Sequence, residues 1–187
     1  MALLLVDVIL DFDFPDGEAL LAQASGAVPH IELLIERARR AGVPIVYVND
    51  NLGHWRSDFR ATVARCCDPS RPSAALVRRL QPRAEDYFIL KPKHSGFFLT
   101  PLELLLKALG TRTVVICGFA ANSCVTSTAH DAHMRDFAVV VPSDTTAANT
   151  RQLCADSVRQ LELTLRAITC PSSELDFARL CEANPRR

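Results

Sequence analysis

Five short apolar runs, each separated from the next by a longer stretch, constrain this chain more than any other feature. Residues 2–6, 45–48, 87–90, 113–117 and 137–141 are rich in Val, Ile and Leu and carry no polar alternation. Runs of this length, apolar on both faces, fit buried strands covered by helices on each side. Residues 166–169 offer a candidate sixth strand. Between the runs the period changes. Ile31, Leu34, Ile35 and Ala38 fall at i, i+3, i+4 and i+7, and Gly42 followed by Pro44 stops that helix. Thr100, Pro101 and Glu103 open another, with Leu102, Leu105, Leu106 and Leu109 as its stripe and Gly110 as its end. A further helix is expected to begin near Asn122, packing Val125, Thr128, Ala129 and Ala132. Cys154, Val158, Leu161 and Leu165 mark the next. Alternating strands and helices with short connections predict an α/β fold with right-handed crossovers and a mostly parallel sheet.

Size and charge then bound the function. A chain of 187 residues suits a single domain over 1–187. With 49% hydrophobic residues, 22% charged residues and a formal net charge of zero, neither disorder nor a basic surface for nucleic acid or membrane is indicated. Arg37, Arg39 and Arg40, like Arg78 and Arg79, read as solvated helix faces. Seven cysteines are an odd number without paired spacing, which fits reduced thiols in a cytoplasmic protein. The opening MALLLVDVIL has no basic leader and is interrupted by Asp7, so it does not read as a signal peptide. Residues 49–72 look irregular, and there Trp55 and Phe59 stand among polar residues as a candidate pocket wall.

In an open parallel sheet, ligands bind outside the carboxyl ends of the strands, where loops and helix N-termini converge. That rule gathers Asp7 after the first strand, Asn49 and Asp50 after the second and Lys91 after the third. The segment 118–124 follows the fourth, and Asp144 the fifth. Cys124 is expected in the first turn of a helix, where free N–H groups and a nearby Lys91 would lower its pKa. The same N–H groups could hold an oxyanion, a contribution of ~3 kcal/mol per donor. An ordinary packed thiol would also suit the position. Asp7, ending an apolar strand, needs a partner in either case; it is a general base toward Cys124 or half of a structural ion pair. Lys91 by itself is no more than a lysine at a strand end.

Three segments, LLLVDVILDF, KPKHSGFFLTPL and GFAANSCVTSTAHDA, resemble in order and spacing the signature blocks of the isochorismatase-like cysteine hydrolases. The resemblance runs over residues 2–148. It implies a three-layer α/β/α fold with a six-stranded parallel sheet and a catalytic triad of Asp7, Lys91 and Cys124. It also implies a cis peptide joining Phe119 to Ala120, an oxyanion hole from the Ala120 and Cys124 amides, and Phe12 as a pocket aromatic beside Phe119 and Trp55. Homodimers or homotetramers are expected from the family.

Departures from the family pattern narrow the chemistry. Ile9 replaces a frequent Gln, His94 a frequent Tyr and Gly96 a frequent Ala. In the nicotinamidase branch a metal is held by an Asp-x-His pair after the second strand. Here Asp50 and His54 are four apart, so no metal and no cofactor is expected. His130 and His133 lie beyond Cys124 on its own helix and read as surface or structural. The expected activity is metal-independent hydrolysis of a small carboxamide or ureido compound through a Cys124 thioester. Isochorismate vinyl ether cleavage and a non-catalytic binding module on the same fold are the alternatives.

Overall fold

The computed structural model describes residues 1–53, 55 and 58–182. Its sheet is six-stranded and every pairing in it is parallel. The strands are β1 (Ala2–Val6), β2 (Ile45–Asp50), β3 (Tyr87–Lys91), β4 (Thr113–Phe119), β5 (Ala138–Val140) and β6 (Thr146–Ala147). In space they run β3-β2-β1-β4-β5, with β6 joining the end of β4. The helices are α1 (Gly17–Arg40), α2 (Phe59–Cys66), α3 (Ala74–Arg79), α4 (Leu102–Ala108), α5 (Thr126–His133), α6 (Arg151–Leu165) and α7 (Phe177–Glu182).

β1 shows why the strands read as unbroken apolar runs. Leu3 and Leu5 pack into a core with Ile31 and Leu34 of α1, while Leu4 and Val6 enter a second core with Leu102, Leu106 and Ala129. Side chains alternate between faces, and helices cover both. Each leucine so buried contributes roughly 2 kcal/mol.

Three expectations change. The sixth strand is Thr146–Ala147, pairing with Gly118 and Phe119 of β4. Residues 166–169 contribute a single parallel bridge, Val140 to Ile168, because Arg166 caps α6 in the left-handed region and leaves little chain to pair. β3 is an edge strand, so Tyr87 and Phe88 are exposed rather than buried. The stretch 49–72 contains α2, whose N-cap Asp58 accepts from Ala61 N at 2.8 Å. No helix among the described residues is long and apolar enough to cross a membrane.

Gly118 fixes the approach of β4 to β1. Its φ is +113°, and a Cβ there would lie 1.9 Å from the Val6 carbonyl oxygen. No side-chain rotation relieves a clash with backbone. Gly118→Ala should therefore destabilise the protein by about 3 kcal/mol or more, read as a lowered urea midpoint. A midpoint equal to wild type would show that β4 can shift without cost.

Candidate active site

Register brings the site together. Val6 pairs with Val48 and Gly118, and Asp50 pairs with Lys91, so four strands end at one level. Asp7 follows β1 with a left-handed φ of 50° and donates its N–H to the Val48 carbonyl at 3.0 Å. Aspartate tolerates this conformation better than most residues. The turn leaves the Asp7 carboxylate facing Lys91 Nζ at 2.8 Å, while its other oxygen accepts from Asp50 N at 2.6 Å.

Lys91 is wholly buried and Asp7 is 4% exposed. The ammonium also lies 3.3 Å from Asp50 Oδ2 and 3.5 Å from Cys124 Sγ. Asn49, fully buried, fixes the neighbouring turn: its amide donates to the Ile9 carbonyl and its Oδ1 accepts from Ile9 N. Burial opposes the charge on Lys91, but the negative groups beside it, Asp7 foremost and Asp50 with it, outweigh burial and hold Lys91 above its ordinary value.

After β4 the Phe119–Ala120 peptide is cis. The chain then forms a π-turn over Ala121–Val125, in which Val125 N donates to the Ala120 carbonyl at 3.2 Å. Such turns re-aim side chains at functional positions. This one carries Cys124 to the Lys91 ammonium and runs straight into α5.

One electrostatic expectation is reversed. The Cys124 thiol is pushed up to about 12, first by burial and next by the Asp7 carboxylate, with Lys91 opposing both. The physical reason is the charge count. Two carboxylates, Asp7 and Asp50, already surround one ammonium, so a thiolate would add an unpaired negative charge in a poorly solvated place. Burial likewise raises Asp7 above the usual carboxylate range, against the pull of Lys91. A raised carboxyl is a stronger base than an ordinary aspartate, and it faces a thiol that ionises only with help.

The structure brings Asp7, Lys91 and Cys124 together, and it adds two neighbours whose roles the sequence does not disclose. Asp50 reads from sequence only as a residue at the sheet edge. His94 reads only as a substitution for Tyr, yet its Nδ1 lies 3.7 Å from Cys124 Sγ and 3.3 Å from Ser123 Oγ. Its spacing of three residues from Lys91 is the available signal. Phe12 and Phe119 are both buried, with ring centroids 6.2 Å apart. Trp55, by contrast, is 78% exposed and stands in solvent rather than as a packed wall. Asp144 is turned away from the site and binds Ser172 N at 2.8 Å and His30 Nδ1 at 3.2 Å. A cavity of about 620 Å³ beside α1 and α6 is lined by His30, Asp144 and Cys154 among others, and by none of Asp7, Lys91 and Cys124. Of the two residues weighed as metal ligands, His54 lies outside the described residues, and Asp50 is engaged by Lys91.

Comparison with known proteins places the fold in a family. The isochorismatase domain family matches residues 1–172. An uncharacterized isochorismatase family protein of Bacillus subtilis (strain 168), YaaI, is 41% identical over 149 residues, covering 80% of this chain and 81% of the relative. The ureidoacrylate amidohydrolase RutB of Methylorubrum extorquens is 44% identical over 72 residues, 38% of this chain. That match spans 29% of RutB. Among solved structures, N-carbamoylsarcosine amidase from Thermoplasma acidophilum superposes with a TM-score of 0.69 at 28% identity, covering 94% of this chain and 98% of that one.

Proposed function

This chain belongs to the isochorismatase family, and from that premise we propose that it is a cysteine amidohydrolase cleaving a C–N bond in a small carboxamide or ureido compound. The observation that carries the reading is the contact chain Asp7 Oδ2 to Lys91 Nζ at 2.8 Å and Lys91 Nζ to Cys124 Sγ at 3.5 Å. Relatives named for hydrolysis of ureido and carbamoyl compounds supply the substrate class.

A thiol held near 12 is almost wholly protonated at neutral pH, so attack and proton loss are coupled. Asp7 takes the thiol proton as Sγ bonds the carbonyl carbon. The oxyanion rests on the Ala120 and Cys124 amides. The C–N bond then breaks, the leaving amine takes the proton from Asp7, and water hydrolyses the thioester. Lys91 stays charged throughout and steadies the developing thiolate. Phe12 and Phe119 form the apolar wall of the substrate pocket.

The test is ammonia or amine release from a panel of carboxamides and ureido acids by wild type and Cys124→Ser. Turnover of the active compound should fall by at least about 10³-fold in the variant. Unchanged turnover would reject the thioester. Pyruvate release from isochorismate that survives the substitution would point to vinyl ether cleavage instead.

A further inference from the structure

Building on the Cys124 thioester, we propose that His94 is a second catalytic base in this chain, the group that activates water to hydrolyse the thioester. The groups around the sulfur differ in their access to solvent. Lys91, 3.5 Å from Sγ, and its partner Asp7 are buried, whereas His94 is exposed and brings Nδ1 to 3.7 Å from Sγ. Ser123 Oγ, 3.3 Å from the same nitrogen, sets the ring orientation.

Exposure has not left this imidazole loosely held. The residues that follow it are clasped to α5: Gly96 N donates to Thr128 Oγ1 at 3.0 Å, Phe97 N donates to Ser95 Oγ at 3.1 Å, and Ser95 Oγ bonds Asp131. Arg135 secures Asp131 at 2.9 Å and lies over the Phe97 ring at 5.0 Å. A Cβ on Gly96 would come within 2.5 Å of Val48 Cγ1, so the loop also sits hard against the sheet. Since α5 continues directly from the turn carrying Cys124, the imidazole and the thiol share one rigid support.

The position divides the two half-reactions. Asp7 takes the thiol proton and returns it to the leaving amine, so acylation ends with Asp7 ionised again. Water reaches the thioester from solvent, where His94 stands exposed and Asp7 is buried. His94 takes a water proton on Nδ1 as the water oxygen bonds the carbonyl carbon. When the tetrahedral adduct collapses, the C–S bond breaks and the departing sulfur takes that proton across the 3.7 Å contact. Acid and free thiol are the products, and both bases are restored.

p-Nitrophenyl acetate, an activated ester, tests this whatever the natural substrate is. In His94→Asn and His94→Gln the first turnover should keep its rate within about twofold, while later turnovers slow on the order of 100-fold. Intact mass spectrometry should show an acetyl adduct accumulating on Cys124, and added imidazole should restore later turnovers in His94→Gly. Equal slowing of both phases without rescue by imidazole, or later turnovers at the wild-type rate, would overturn the role of His94 and leave the thioester standing. Wild-type turnover that persists in Cys124→Ala would remove the thioester, and this proposal with it.

Discussion

Asp7→Asn is expected to cut turnover by about 10³-fold while making Cys124 more reactive toward iodoacetamide, not less. The two effects part because Asp7 acts on the thiol in opposite ways. As a base it removes the proton during attack. As a nearby negative charge it helps hold the resting thiol up at about 12. Asparagine can still accept from Asp50 N, so the turn after β1 keeps its hydrogen bond. With the charge gone, burial still raises the thiol, but Lys91 now opposes it with one competing carboxylate fewer. A one-unit fall is tenfold more thiolate, so labelling at pH 7.5 should quicken by at least about 10-fold. If Asp7 were only half of a structural ion pair, turnover would survive its neutralisation. Slower labelling together with unchanged turnover would defeat the assignment.

The second large effect concerns the ammonium. Lys91→Met should abolish activity and lower stability by about 3 kcal/mol at neutral pH, since it leaves the buried Asp7 carboxylate without its cation. The sign with pH follows from Asp7. Its pKa is already raised in the folded protein by burial, and Lys91 is the largest influence holding it down. Without Lys91 it rises further. The folded variant then keeps a proton that the unfolded chain gives up from about pH 4 upward, and stability falls with rising pH. Urea midpoints should thus nearly match wild type at pH 4–5 and separate by up to ~1.4 kcal/mol per pH unit above that. Asp7→Asn in the same chain should recover part of the loss, because the group left unpaired is then neutral. A pH-independent difference between Lys91→Met and wild type would show that the carboxylate is not what suffers.

The central strands were legible because both of their faces are buried, which writes an unbroken apolar run into residues 2–6 and 113–117. The edge strand was legible in place but not in burial, since nothing in Tyr87 and Phe88 says which side lacks a neighbour. α1 runs unbroken over Gly17–Arg40 with Pro29 inside it, a length that the stripe from Ile31 to Ala38 does not disclose. Its earlier turns are held by Leu20, Ala24, Ala27 and Val28 against the sheet, and that packing outweighs the local cost of proline.

By itself the sequence determined that Asp7, Lys91 and Cys124 lie just past or at the ends of parallel strands, because such strands expose chemistry only at their carboxyl ends. What the tertiary structure decided is the charge around the sulfur. Asp50 and His94 come within reach of Lys91 and Cys124 through strand register and a clasped loop, distances that no residue pattern encodes. A thiol's acidity depends on every charge within a few ångströms and on how much water is excluded, and both are properties of the packed molecule.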